Sequence, residues 1–161
     1  MRTNNGKIRN VIISVYFILI VTAIIMATVF SAFKDLTSST TYTFLLFLLV
    51  FVGLFFFVHW VAKYFEYDSD GMKVVLINRG LLLSDYLNYR EFKVEFEKAD
   101  LVSYRFHNYV VFKSLTLIIR KSSGNTKRVS FNVTLVDRKK RKYIRQSLRK
   151  MVKANRNKGN S

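Results

Sequence analysis

Two long uncharged runs near the start of the chain constrain what it can fold into more than any other feature. Val11 to Phe33, VIISVYFILIVTAIIMATVFSAF, is 23 residues without a charge, and Tyr42 to Ala62, YTFLLFLLVFVGLFFFVHWVA, is a further 21. As helices at 1.5 Å per residue they would reach about 34 and about 31 Å, against a hydrocarbon core of about 30 Å. Buried helices of soluble proteins seldom stay uncharged for so long. The runs therefore predict two membrane-crossing helices, over 11–33 and 42–62. A signal peptide would also place Arg2, Lys7 and Arg9 ahead of an apolar run, but its core is about 7–15 residues, shorter than either run.

Charge then orients the expected hairpin. The intervening KDLTSSTT, Lys34 to Thr41, carries one Lys and one Asp. Three basic residues precede the first run, and the chain after Trp60 holds 23 Lys/Arg against nine Asp/Glu. Basic flanks favour the cytoplasmic side. The expectation is an integral protein of a cytoplasmic membrane with both termini cytoplasmic, made of a basic N-terminus (1–10), a transmembrane hairpin (11–62) and a cytoplasmic domain after it. Tyr42 and Trp60 suit the two interfaces, and His59 beside Trp60 reads as interfacial because no intramembrane acid or base accompanies it. Ala23, Ala27 and Ser31 recur every four residues and predict a small-residue packing stripe. It would serve the hairpin itself, a second copy or another membrane protein.

From Lys63 the pattern changes to short alternating runs, which predict strands over Lys63–Asp68, Met72–Asn78, Leu81–Leu87, Tyr89–Phe96, Leu101–Phe106, Tyr109–Lys121 and Thr126–Thr134. Asp70-Gly71 predicts a tight turn that uses a positive φ. Val102, Tyr104 and Phe106 are expected on one face, and Val129, Phe131 and Val133 inward. About seven strands in some 70 residues predict a small antiparallel barrel or sandwich. The period then becomes helical. Ile144, Leu148, Met151 and Val152 share one face, Asp137 suits the helix start, and the expected helix is 137–155 with a polar tail at 156–161. The fold class expected is thus a membrane-anchored α+β chain, with the β domain over 63–155.

The order of these parts resembles the bacterial membrane-anchored pleckstrin-homology-like proteins, in which a two-helix hairpin precedes the domain. The segments FEYDSDG, VVLINRGLLL, VEFEKADLVSYRF and SLTLIIR carry the resemblance, which covers about residues 11–153. A proline common at the start of the VEFEKADL segment is missing. The resemblance implies a scaffold or binding module at a bacterial inner membrane and supplies no catalytic residue. Composition agrees with the origin, since abundant Lys, Asn, Ile and Phe fit an AT-rich bacterial genome. Basic residues in an early strand–loop pair hold phosphates in phosphoinositide-binding members. Here that loop is the acidic DSDG, which argues against inositol-phosphate recognition at that place.

The residues that remain as candidates are cations. Arg138 to Lys158 holds eleven Lys/Arg and no acid. Arg138, Lys139, Lys140, Arg141, Lys142, Arg145, Arg149, Lys150 and Lys153 are candidate contacts for anionic lipid headgroups or an acidic partner, beside the plainer reading of a solvated outer face. Arg120, Lys121, Lys127 and Arg128 flank a turn and form a second cluster. Nucleic acid is not expected, because base readout needs a docking motif that the chain lacks. The chain has no Cys and two distant His, which excludes thiolate metal sites and a cysteine nucleophile. Asp68, Asp70 and Gly71 resemble the start of a calcium loop but lack its later ligands. Asn132-Val133-Thr134 matches a glycosylation acceptor but falls in an expected strand. No phosphate loop, dinucleotide fingerprint or nucleophile elbow is present. The expected protein is a noncatalytic interaction module without a cofactor. The alternatives are a small subunit of a larger membrane complex and an anionic-lipid sensor.

Overall fold

In the computed structural model, the described residues are 1–29, 40–80, 91–121 and 123–158. They form two units: Lys7–Trp60, and Met1–Gly6 together with Val61–Ser161. The first unit holds helix α1, Ile8–Val29, and most of helix α2, Thr40–Val61. The second holds β1 (Arg2–Asn4), β2 (Lys63–Asp68), β3 (Lys73–Gly80), β4 (Phe92–Glu97), a 3-10 turn at Lys98–Asp100, β5 (Leu101–Asn108), β6 (Lys113–Arg120), β7 (Thr126–Asn132) and helix α3 (Arg138–Lys158).

The transmembrane hairpin is corrected. Among the described residues no helix is long and apolar enough to cross a membrane. Helix α1 begins at Ile8 and takes Arg9 and Asn10 into its first turn. Helix α2 opens on Thr40, Thr41, Tyr42 and Thr43 and closes on His59 and Trp60. Its purely apolar part, Phe44–Val58, reaches about 22 Å. The integral inner-membrane placement with both termini cytoplasmic falls with the hairpin. The loop over 34–39, Ser31 and the end of the first run at 30–33 lie outside the described residues. Within this unit the Tyr16 and Phe55 rings meet at 4.8 Å. Many large apolar side chains stay exposed, among them Phe17, Ile18, Leu49 and Phe56.

The closed barrel is corrected too. The strands form two small open antiparallel sheets, in the orders β1-β2-β3-β4 and β5-β6-β7. Among the described residues no strand ladder joins one sheet to the other. A pair of asparagines does part of that work. Asn78 Nδ2 donates to the Asn132 carbonyl at 3.1 Å, and Asn132 N–H returns a bond to Asn78 Oδ1 at 3.3 Å. Asn132 Nδ2 also donates to the Val61 carbonyl at 3.3 Å. Of the Asn-Val-Thr triplet only Asn132 is in the strand, at the end of β7, and its side chain is committed to these bonds; Val133 and Thr134 lie beyond it.

Strand β1 had no signature in the sequence. Arg2–Asn4 pairs antiparallel with Asp68–Glu66. Asn5, 1% exposed, extends the pairing: Phe65 N–H donates to Asn5 Oδ1 at 2.8 Å, and Asn5 Nδ2 donates to the Lys63 carbonyl at 2.9 Å. Its side chain thus stands in for a strand residue, leaving neither amide group unpaired in a buried place. The turn between β2 and β3 also differs from expectation. Gly71 has no positive φ, and the turn is held by Asp70 N–H donating to Asp68 Oδ1 at 2.9 Å. The glycine at positive φ among the described residues is Gly124, at 81° in the β6–β7 turn, where a side chain would be strained.

The core lies between the sheets and under α3. Phe65, Tyr67, Val74 and Leu76 come from the first sheet, Leu115, Leu117, Val129 and Phe131 from the second, and Ile144 and Leu148 from α3. Alternation places them: successive β residues point to opposite faces. A register shift between Leu101 and Ser103 breaks the expected face of β5, so Val102 is exposed while Tyr104 and Phe106 are half-buried. The expected strand over Leu81–Leu87 lies outside the described residues.

One tyrosine of this unit carries a pH prediction. Tyr64 donates its hydroxyl to Glu66 Oε2 at 2.7 Å. Burial first, and then this bond, push its phenol from an ordinary value near 10 up to about 12. A pKa raised on folding adds stability that is fully present below the unfolded value and lost as pH rises through the folded one. The window here is pH 10 to 12. In a spectrophotometric titration, Tyr64→Phe should remove a phenolate that forms near pH 12 in the native chain. Loss of an ordinary phenolate near pH 10 would contradict the bond.

Candidate functional site: the basic outer face of α3

The geometry of α3 follows from its apolar residues. Ile144 and Leu148 are fully buried, and Met151 and Val152 pack against the same core. At 100° per residue these four lie on one side of the axis. Ser147 on that side bonds the Tyr67 hydroxyl at 2.9 Å, and Asn155 Nδ2 donates to the carbonyls of Lys98 at 2.7 Å and Leu101 at 2.9 Å. The helix is therefore pinned at several points along its length, and its rotation is fixed.

Fixing the rotation sorts the candidate cations. Arg138, Lys139, Lys142, Arg149, Lys150 and Lys153 are all exposed. They fall within roughly 120° of one another around the axis, opposite the core, given 100° per residue. Among the described residues none of the six has a carboxylate partner. Three other candidates have work in the fold. Lys140 Nζ donates to the Asn4 carbonyl at 2.6 Å and lies 3.7 Å from Asp137 Oδ2, so it ties α3 to β1. Arg145 stacks over the Phe106 ring at 5.1 Å. Arg141 is half-buried on the core side of the helix, and its backbone N–H donates to the Asp137 carbonyl at 2.9 Å. The sequence placed the cations on a helix but could not separate these three from the outer stripe.

The second cluster lies elsewhere. Ladder register places Lys113 beside Asn108 at one end of β6, and Arg120 opposite Thr126 at the other. Val133 N–H donates to the Lys113 carbonyl at 2.9 Å, and Val136 N–H to the Val133 carbonyl at 3.1 Å, so α3 starts at the Lys113 end. Its last turns, through Asn155, reach the Arg120 end. Arg120, Lys121 and Lys127 there line an open cleft of about 490 Å³, with Val94, Phe96 and Ile119 as apolar lining and Glu95 and Asp100 as acids. Lys73 sits 3.0 Å from Glu95 and, through that hydrogen bond, holds its carboxyl below the usual range. Arg128 is exposed and does not line the cleft. This mixture of signs makes the cleft a weaker anion site than the stripe on α3.

No family model, curated protein or solved structure matches the chain.

The small-residue stripe falls mostly outside the described residues. Ala23 is half-buried on α1, while the side chain of Ala27 and all of Ser31 lie outside the described residues. Among the described residues, no three His, Asp or Glu side chains converge to hold a metal ion. What α3 offers is a row of point charges on flexible stems, with guanidinium forks at Arg138 and Arg149. Such a row suits a surface that carries many anions, more than a single small molecule.

Proposed function

We propose that the chain is a noncatalytic binding module whose α3 holds anionic lipid headgroups. The observation that carries this is the acid-free outer stripe of six cations on a helix whose opposite face is locked into the core. Each Lys or Arg near an anionic surface contributes about 1 kcal/mol, falling off within a Debye length of about 10 Å at 0.1 M salt. The resemblance drawn from the sequence implies a binding module, and the two sheets with a C-terminal helix support a scaffold role for the second unit. Lipid is favoured over nucleic acid because the first unit exposes large apolar side chains, which a phosphodiester surface would leave in water.

The test is vesicle flotation of the full chain. It should float with vesicles of phosphatidylglycerol and phosphatidylcholine at low salt, be released by 0.5 M salt, and stay behind with phosphatidylcholine alone. Binding that ignores both lipid charge and salt would contradict this reading.

A second reading has its own observation. The described exposed side chains of α1 and α2 are largely apolar, Phe17, Ile18, Leu49 and Phe56 among them, a pattern found where a helix is enclosed by other material. The chain would then be a small subunit whose helices are covered by a partner protein. Stable co-purification with one protein partner, unaffected by charge changes on α3, would favour it.

A further inference from the structure

The turn between β5 and β6 exposes apolar side chains at its tip. Tyr109, Val110 and Val111 are 60, 102 and 51% exposed. The turn is closed by Tyr109 N–H donating to the Phe112 carbonyl at 2.8 Å. The His107 and Tyr109 rings stack at 6.2 Å and 9°, and Tyr109 and Phe112 at 6.4 Å and 28°. Hairpin tips ordinarily use Gly, Asn, Asp and Ser, as the Ser123-Gly124-Asn125 tip does at the other end of β6. A tip of Tyr-Val-Val is the opposite choice, and an aromatic with a polar end next to aliphatic residues is suited to a lipid–water boundary.

Its position matters as much as its composition. Lys113 lies two residues after Val111, and its backbone N–H donates to Thr134 Oγ1 at 2.9 Å, four residues before α3 begins. The tip and the first turns of α3 thus share one end of the unit. Ser123 and Gly124, together with the cleft, belong to the opposite end, since β6 runs eight residues between the two turns, about 25 Å at the strand rise.

We infer that the Tyr109–Val110–Val111 tip inserts into the interfacial layer of an anionic lipid surface. This tilts the unit so that Arg138, Lys139 and Lys142 meet the headgroups ahead of Arg149, Lys150 and Lys153. The inference rests on the lipid reading of α3 and adds an inserted element and an orientation to it. Charge complementarity selects the occupant: an apolar tip flanked by cations fits a layer that is anionic outside and apolar beneath.

The chain has no Cys, so Val110→Cys and Ser123→Cys each create a single labelling site in the full chain. An environment-sensitive fluorophore at position 110 should shift to the blue and brighten with phosphatidylglycerol-containing vesicles. At position 123 it should keep its spectrum in buffer. The double variant Val110→Asp, Val111→Asp should bind those vesicles at least tenfold more weakly while keeping its salt sensitivity and its thermal midpoint. If the chain floats with anionic vesicles but neither label responds, the tip inference is overturned and the α3 reading stands. If the chain does not bind anionic vesicles, both are overturned. A shift at position 110 that tracks protein concentration without vesicles assigns the tip to contact between copies and overturns the inference.

Discussion

Leu148→Ala is expected to destabilise the β-sheet unit by about 2–5 kcal/mol, the range for removing a buried leucine side chain. Leu148 is 0% exposed and belongs to the cluster formed by both sheets and α3. The loss has two parts: the transfer of the removed methine and two methyl groups, and the cavity left where the surroundings relax only partly. Relaxation is restricted here, because α3 is held on either side of Leu148 by Ser147 on Tyr67 and by Asn155 on the Lys98 and Leu101 carbonyls. The helix cannot simply slide inward to fill the gap. The measurement is amide hydrogen exchange in β2 and β6, whose opening reports on this unit, whereas the bulk helical signal also comes from α1 and α2. Gln146→Ala, on the exposed outer face, is the control and should change exchange by no more than about 0.5 kcal/mol. Equal effects of the two substitutions would mean that α3 is not docked by its apolar stripe.

That docking stripe was legible in the sequence, and so were the positions of most strands, because period 3.6 and period 2 are written directly in side-chain polarity. Ile144 and Leu148 are buried, and Phe65, Tyr67, Leu115, Leu117, Val129 and Phe131 line the core as alternation requires. What sequence could not show falls into three physical kinds. The first is pairing by short segments: Arg2–Asn4 is too brief to show alternation, and its place beside β2 depends on Asn5 reaching the backbone of residues 63 and 65. The second is competition between equal propensities. Tyr109 to Phe112 are good strand formers, so they read as part of one strand, yet the chain turns there and leaves Val110 fully in water. The third is helix boundaries. Uncharged runs suggested spans that begin and end where charge begins and ends, whereas α1 starts at Ile8 and includes Arg9. For the site, composition located the cations on α3, but only the rotation of the docked helix separated the outer six from Lys140, Arg141 and Arg145.

The larger effect expected lies on that outer stripe. Replacing Arg138, Lys139, Lys142, Arg149, Lys150 and Lys153 together by Gln removes six positive charges and none of the contacts that hold the helix. Lys140 is left in place because it bonds Asn4. At about 1 kcal/mol per cation near an anionic surface the full sum would be about 6 kcal/mol. A tilted helix engages only part of the stripe, so the expected loss is at least a hundredfold in affinity for anionic vesicles. Folding should survive, since exposed polar substitutions of this kind usually shift stability by no more than about 0.5 kcal/mol each, and the same hydrogen-exchange measurement checks it.

The most direct test of the central claim is therefore the partition of the native chain and of this six-site variant onto vesicles of graded phosphatidylglycerol content at fixed low salt. The native chain should bind more tightly with each increment of anionic lipid, and the variant should stay near the level seen with neutral vesicles. If a folded variant binds as the native chain does, α3 is a solvated outer face and the lipid-binding account is wrong.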